Sequence, residues 1–282
     1  MTNNIIKALA RNRFNELNSD KQFNASDGWC TSFKKKWNLS TLTVKPSKKA
    51  SNHSSIDVKK FLTNYKRSSK GVPNKFIFNY DETNIKVMNP PKTAIRIKGS
   101  TDVKVECEGN TKENFTIGLT ISAGGALLKP LIIAKGMTER CLNKFSLSNK
   151  VNGTYTDNGW ANEDCIVIIL DQIANITNGE KGILLLDQHA SHTTDKVKKH
   201  AKDNNIKLIY IPVGMTSKYQ PLDQKVNGIL KKYMTQSYSQ KLATDHTIKY
   251  SHANCLNDLV INIKKIKKGI IMRSFDCLID QK

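Results

Sequence analysis

Hydrophobic residues recur at helical spacing in the first forty positions of the chain. The first apolar series is spaced by three or four residues: Ile6, Ala10, Phe14 and Leu17. This spacing predicts a helix over residues 3–17. In a second segment Trp29, Phe33 and Trp37 are each four positions apart and follow Ser26, a favourable N-cap residue, so we expect a helix whose aromatic stripe is core. Two short helices joined by a polar turn are typical of half of a helix-turn-helix unit.

Residues 43–72 are rich in lysine and serine and carry few large apolar side chains. This composition predicts a basic linker with one short helix at about 55–66.

From residue 75 the pattern changes to that of strands. Five segments are predicted as strands: 75–80, 114–122, 126–136, 182–187 and 207–212. Two glycines join the second and third, which predicts a β-hairpin. Helices are predicted at 159–174, at about 193–203 and from Pro221 onward. This order predicts an α/β fold, a mixed sheet flanked by helices.

The last predicted helix, residues 261–273, is basic and amphipathic. Its isoleucines favour packing against the core, and a phosphate-contacting surface is the alternative.

Charge is the strongest global signal in the composition. The 282 residues carry a formal net charge of +21, and 38% hydrophobic with 24% charged residues are typical of a soluble globular protein. Residues 1–75 contain sixteen Lys or Arg against four Asp or Glu. A field of this sign attracts polyanions, nucleic acid above all. A lysine-rich surface that reflects only a biased composition is the alternative.

Cysteine spacing and hydropathy narrow the class of protein further. The six cysteines lie far apart and form no CxxC pair, so we expect neither a zinc knuckle nor a disulfide framework. We therefore expect the protein in a reducing compartment. The apolar runs are too short to span a bilayer, and the N-terminal residues do not resemble a secretion signal. We therefore expect no membrane association.

Three carboxylates lie where the predicted sheet would gather them. Asp81 follows one predicted strand, Asp187 ends another, and Asp223 begins the helix after the last strand. Ligands of open α/β sheets bind beyond strand ends. Clustered carboxylates repel one another unless a cation neutralises them, and hard divalent ions such as Mg²⁺ do so with oxygen ligands. Two such ions roughly 3.5–4 Å apart can activate the attacking oxygen and stabilise the leaving oxygen of a phosphodiester.

The histidines beside Asp187 suggest another metal. Asp187, His189 and His192 form a D-x-H-x-x-H pattern, but no cluster of Cys or His completes four zinc ligands. We expect instead that His192 orients its loop or caps the next helix.

These residues also carry a family resemblance. "NYDETNI" (79–85), "LLLDQHASH" (184–192) and "KYQPLDQ" (218–224) resemble the three signature blocks of the DDE-superfamily transposases of the pogo, Tigger and jerky group. "LLKPLIIAKG" (127–136) resembles that family's strand between the first and second aspartates. "FNASDGWCTSFKKKWNLS" (23–40) is similar to the second half of the helix-turn-helix of centromere protein B and its transposase relatives.

The resemblance implies an RNase H-like catalytic core behind a helix-turn-helix unit. It implies that Asp81, Asp187 and Asp223 are the catalytic residues and bind Mg²⁺ or Mn²⁺, two ions in all. Water and then the freed 3′-hydroxyl would attack phosphodiesters at transposon ends. DNA is the implied partner and the nucleus the implied location, with no small-molecule cofactor. The oligomeric state stays open, with a homodimer as one option.

Further residues are predicted to shape the site or to contact DNA. We expect His192, Gln220 and Thr216 to shape the loops around the aspartates. We expect Lys34, Lys35, Lys36, Lys129 and Lys135 to contact DNA phosphates, although a solvated sheet edge explains the last two equally well.

The sequence therefore predicts four regions and two candidate functions. Residues 1–42 form the partial helix-turn-helix, 43–72 the linker, 73–240 the catalytic domain and 241–282 a helical extension. The first function is a metal-dependent DNA transposase or endonuclease, or a degenerate copy of one. The alternative is a domesticated, non-catalytic nuclear DNA-binding protein, which would have no reason to retain all three aspartates.

Overall fold

The computed structural model describes residues 3–17, 22–39, 55–88, 113–244 and 250–279. The chain divides into two compact units, Met1–Lys49 and Ala50–Lys282.

The first unit contains two helices, α1 (Asn3–Leu17) and α2 (Asp27–Lys36). Ser26 caps α2 as predicted, because its hydroxyl accepts a hydrogen bond from the Trp29 amide. The aromatic series continues from Phe14 through Phe23 and Trp29 to Phe33, with ring centroids 5.0–5.1 Å apart. The prediction that Trp37 is core is wrong. It follows the last turn of α2 and is 61% exposed.

The second unit is built on one mixed sheet of six strands. The strands are β1 (Ile77–Lys86), β2 (Asn114–Ser122), β3 (Leu131–Lys135), β4 (Asn152–Thr156), β5 (Gly182–Leu186) and β6 (Ile206–Tyr210). Their spatial order is β4-β3-β2-β1-β5-β6. β2 runs antiparallel to both β1 and β3, and the other neighbours are parallel. The prediction of a mixed sheet flanked by helices is confirmed.

Three strand predictions need correction. β1 does not end before Asp81 but continues to Lys86, because β2 pairs with it along this whole length. β3 begins at Leu131 rather than 126, since Pro130 and the residues before it form only an isolated bridge at Leu127. β4 was not predicted. Its sequence, NGTYT, has no fully apolar face, and parallel pairing with β3 defines it.

Helices cover both faces of the sheet. They are α3 (Ser55–Ser69), α4 (Glu163–Thr177), α5 (Asp195–Asp203), the short α6 (Thr216–Tyr219), α7 (Asn227–Thr244), α8 (His252–Lys264) and α9 (Lys268–Ser274), with a π-helix at Leu222–Val226. α4 begins at Glu163, directly after its N-cap residue Asn162, and not at 159 as predicted. The prediction of a single helix at 261–273 is wrong, because α8 ends at Lys264 and a separate helix, α9, begins at Lys268.

Two hydrophobic cores lie on opposite faces of the sheet. One face packs against α4 and α5, for example Phe78 and Leu184 against Ile166. The other packs against α3, α7, α8 and α9, with Phe61 and Leu230 among its members. Because α3, α8 and α9 share this core, the second unit extends across the boundaries predicted at 72 and 240. No helix among the described residues is long and apolar enough to cross a bilayer.

Candidate active site

One asparagine joins two of the predicted aspartates. Asp81 lies in the middle of β1, opposite Leu119 of β2, and Asp223 lies in the π-helix. The Asn227 side-chain amide donates to Oδ2 of Asp81 at 2.9 Å and to Oδ1 of Asp223 at 3.1 Å. Asn227 is the first residue of α7, so it lies one turn beyond Asp223 on the same side of the helix. Short π-helical segments often occur at functional sites.

A second asparagine holds the π-helix against the sheet. Asn79 of β1 is fully buried and accepts a hydrogen bond from the Leu222 amide at 3.0 Å. Its own amide group donates to the Leu185 carbonyl of β5 at 3.1 Å. The position of Asp223 relative to β1 and β5 therefore depends on Asn79.

The third aspartate follows β5 and is bound by a buried histidine. Nδ1 of His192 lies 2.6 Å from Oδ1 of Asp187, and Nε2 lies 3.0 Å from Oε1 of Glu82. His192 is 1% exposed, and the ring of Tyr80 packs against it edge to face. The His189 amide also donates to Asp187, at 3.2 Å.

The carboxylates influence one another electrostatically. Burial raises the pKa of Asp81 well above its usual range, and the charges of Asp223, Glu82 and Asp187 add to this effect. Burial also raises the pKa of Asp187, but the hydrogen bond and charge of His192 outweigh it and lower the net value. Burial lowers the pKa of His192, yet its hydrogen bonds to Asp187 and Glu82 raise it to about 10. His192 is therefore an imidazolium at neutral pH.

A cleft opens beside these groups. Its cavity volume is about 330 Å³. Asp81, Glu82, Asp187 and His189 line it, as do Lys135 and Trp160. The cleft gives a ligand direct access to two of the three predicted aspartates.

The donor chemistry of the site fits a hard divalent cation. Carboxylate oxygens dominate, and a cation would offset the mutual repulsion that adds to the effect of burial on the pKa of Asp81. Oδ1 of Asn227 is buried without a hydrogen-bond partner, and amide oxygens also bind such cations. Within the described ranges, however, no three His, Cys, Asp or Glu side chains form a group that could hold a metal ion. The geometry is a bridged pair, Asp81 and Asp223, with Asp187 beside it rather than a closed cage.

The other predicted residues are placed as follows. Gln220 is buried just before the π-helix, and its backbone carbonyl accepts from the Asp223 amide at 3.1 Å. Thr216 begins α6, on the same loop. Lys135 is exposed and lines the cleft, whereas Lys129 is exposed outside it.

Lys34, Lys35 and Lys36 occupy the last turn of α2 in the first unit. Their contact with DNA stays a prediction.

Sequence reasoning missed Asn227, Asn79 and the contact of Glu82. Asn227 lies four residues after Asp223, which is a helical spacing that could have indicated it. Asn79 is a polar residue in an apolar strand, the kind of position that needs a buried partner. The spacing of Glu82 and His192 in the sequence gives no signal of their contact.

Two family models match parts of this chain. The model of the DDE superfamily endonuclease family matches residues 112–275, more than half of the chain, and includes Asp187 and Asp223. The Tc5 transposase DNA-binding domain matches residues 1–43.

Two curated relatives are a "Pogo transposable element with KRAB domain" from Homo sapiens and its counterpart from Mus musculus. They are 29% and 28% identical over 233 residues, which cover 79% of this chain. The matched region amounts to 37% of the length of each relative, so the chain spans little more than a third of them.

Among solved structures, the Mos1 mariner paired end complex with Mn has a TM-score of 0.54 at 10% identity. The match covers 95% of this chain and 76% of that one. The likeness confirms the predicted RNase H-like architecture.

Proposed function

Since this chain belongs to the DDE superfamily of endonucleases, we propose that it is a transposase-type enzyme that cleaves and joins DNA with Asp81, Asp187 and Asp223. The observation that carries the proposal is the bridge of Asn227 between Asp81 and Asp223, beside a cleft that Asp81 and Asp187 both line. Carboxylates from two other parts of the chain, Asp223 and Asp187, are thus near enough to Asp81 to raise its pKa, which supports the proposal.

In this proposal the three aspartates hold divalent cations, Mg²⁺ or Mn²⁺. Two bound cations would activate the oxygen that attacks a phosphodiester and stabilise the oxygen that leaves it. His192, itself held by Glu82, keeps the Asp187 carboxylate in place, and Asn79 and Asn227 set the position of Asp223 against β1. An attacking oxygen, from water or a DNA 3′-hydroxyl, loses its proton to solvent and forms a new bond to phosphorus as the bond to the leaving oxygen breaks, and the leaving oxygen takes up a proton from solvent.

DNA as the substrate is supported by the first unit. Residues 1–43 match a transposase DNA-binding domain, and α2 ends in three consecutive lysines. The solved structure with a similar fold is the Mos1 mariner paired end complex with Mn, and we extend the proposal to Mn²⁺ use and a dimeric assembly. We extend the proposal to a nuclear location, since genomic DNA is the substrate.

The alternative function, DNA binding without catalysis, also rests on an observation. No three metal-binding side chains within the described part of the chain are close enough to enclose an ion. If Asn227 keeps Asp81 and Asp223 as a permanent pair, the site would be structural.

The two functions are separated by nicking of supercoiled plasmid DNA in Mg²⁺ or Mn²⁺. We expect the unaltered chain to nick the plasmid and Asp187→Asn to lose this activity. Asp203→Asn, at an exposed position at the end of α5, is the matched control and should keep it. Calorimetric titration with Mn²⁺ alone gives a second readout, in which Asp81→Asn should weaken binding. Plasmid binding without nicking, together with equal Mn²⁺ titrations, would favour the non-catalytic alternative.

A further inference from the structure

The cleft beside the carboxylates carries an exposed aromatic side chain that the proposed chemistry does not use. Trp160 lines the cleft, and 70% of this residue is exposed. No aromatic ring among the described residues packs against it. A large indole left in water beside a catalytic cleft is a candidate contact for a ligand with a flat apolar face.

The backbone that presents Trp160 is firmly held. The Thr156 hydroxyl donates to the Trp160 carbonyl at 2.9 Å, and the Trp160 amide donates to Oδ1 of Asn158 at 2.8 Å. The Thr116 hydroxyl of β2 donates to the Gly159 carbonyl at 2.8 Å, which ties the turn to the sheet.

Gly159 allows this turn to lie close to β3. Its φ is +78°, and a Cβ there would come within 3.0 Å of Cβ of Lys135. The indole therefore extends from a pre-organised turn, which reduces the entropy lost when a ligand stacks on it.

The remaining walls of the cleft suit a nucleotide. The amide group of Asn84 donates to Oδ1 of Asn114 at 2.8 Å, so amides form part of the lining. Such amides hydrogen-bond to base edges. Lys135 is exposed at the same cleft and can contact a phosphate.

Only a base that has left the helical stack fits this arrangement. Bases inside a duplex have both faces covered by their neighbours, so away from a duplex end an indole can stack only on an unpaired base. A cavity of about 330 Å³ bounded by strands and a rigid turn is also too small for a double helix.

We propose that Trp160 is the stacking platform of a subsite that takes one unpaired nucleobase in the cleft beside Asp81 and Asp187, with Lys135 at its phosphate. The proposal rests on the proposed function in one respect, that the polymer in the cleft is DNA.

Tryptophan fluorescence tests the subsite without any cleavage. The chain has three tryptophans, and the other two, Trp29 and Trp37, lie in the first unit. The difference between the unaltered chain and Trp160→Phe therefore isolates the signal of Trp160. The titrant is a short DNA duplex with a three-nucleotide single-stranded 3′ end, in buffer with EDTA. We expect this DNA to quench Trp160, and the same DNA with abasic sugars in the single strand to leave it unquenched.

Affinities provide the second measurement. Trp160→Leu should weaken binding of the single-stranded end by about tenfold, and Trp160→Phe should keep most of the affinity, because stacking needs only an aromatic face. Met137→Ala, which removes another exposed apolar side chain close in sequence to β3, is the matched control and should bind normally.

Equal quenching by the base-containing and abasic DNA would overturn the subsite, as would unchanged affinity of Trp160→Leu. A change in oligomeric state of Trp160→Leu, seen by sedimentation, would show that the indole contacts a second copy of the chain and would also overturn it. Because these titrations need no cation and no catalysis, loss of nicking with intact base-dependent quenching would contradict only the proposed function.

Discussion

Asn227 donates a hydrogen bond to Asp81 over 2.9 Å, although 146 positions separate the two residues in the chain. The same amide nitrogen reaches Asp223, so a neutral donor lies between two carboxylates that would otherwise repel each other. In the absence of cations, the hydrogen bonds of Asn227 thus offset the repulsion between the two carboxylates.

Replacement of Asn227 should destabilise the chain most when cations are absent. We expect Asn227→Ala to lower the free energy of unfolding by about 1–3 kcal/mol in EDTA, because two carboxylates lose their shared donor. Added Mn²⁺ should recover part of this loss, which urea unfolding with and without Mn²⁺ measures. Gly228→Ala is the control, because a Cβ there meets nothing within 4 Å. Equal losses in both variants would contradict the interpretation.

His192 should make stability depend on pH in the alkaline range. Its pKa of about 10 in the folded chain exceeds the ordinary value of 6.5. The stabilisation is therefore complete below pH 6.5 and is lost as the pH rises through 10. We expect urea unfolding at pH 6, 8 and 10 to show a decline for the unaltered chain that His192→Gln lacks. His200→Gln, which removes a surface histidine pair with Asp171, should retain the decline. Parallel curves for all three proteins would rule this explanation out.

Gly118 should tolerate no side chain. A Cβ at this position of β2 would lie 2.7 Å from the buried ring of Tyr80, which packs against His192. We expect Gly118→Ala to lower the free energy of unfolding by about 1–3 kcal/mol through overpacking. Gly269→Ala, where a Cβ meets nothing within 4 Å, serves as the control in the same urea titrations. If Gly118→Ala is as stable as this control, the Tyr80 ring does not pack against Gly118.

The lysines at the end of α2 should set the salt dependence of DNA binding. Each phosphate contact contributes about 0.9 to the slope of log affinity against log salt concentration. We expect the triple replacement of Lys34, Lys35 and Lys36 by glutamine to reduce this slope in fluorescence anisotropy titrations.

A charge-matched replacement tests whether position matters. Replacement of three lysines of α5 by glutamine removes the same charge and should reduce the slope less. These lysines are Lys198, Lys199 and Lys202. If the two triple variants behave alike, the effect belongs to net charge and not to the first unit.

Local pattern determined most of the elements and the identity of the candidate aspartates. The alternation of residues 114–122 specified β2, and the apolar run of 182–186 specified β5, because side chains alternate along a strand and a buried parallel strand has no polar face. Ser26 specified the start of α2, since a helix start needs an acceptor for its free amides. The three signature blocks indicated Asp81, Asp187 and Asp223, and their roles stay predictions.

Tertiary structure alone decided which groups meet. β4 exists because β3 offers it a partner, and β1 passes beyond Asp81 because β2 pairs with it to Lys86. Asn227 hydrogen-bonds to Asp81, and His192 hydrogen-bonds to Glu82. The side chain of Trp160 is exposed, although hydrogen bonds hold its backbone. Periodicity reports which face of an element is apolar, but hydrogen bonds between distant residues depend on the register and neighbours of whole elements, and those are set only when the sheet assembles.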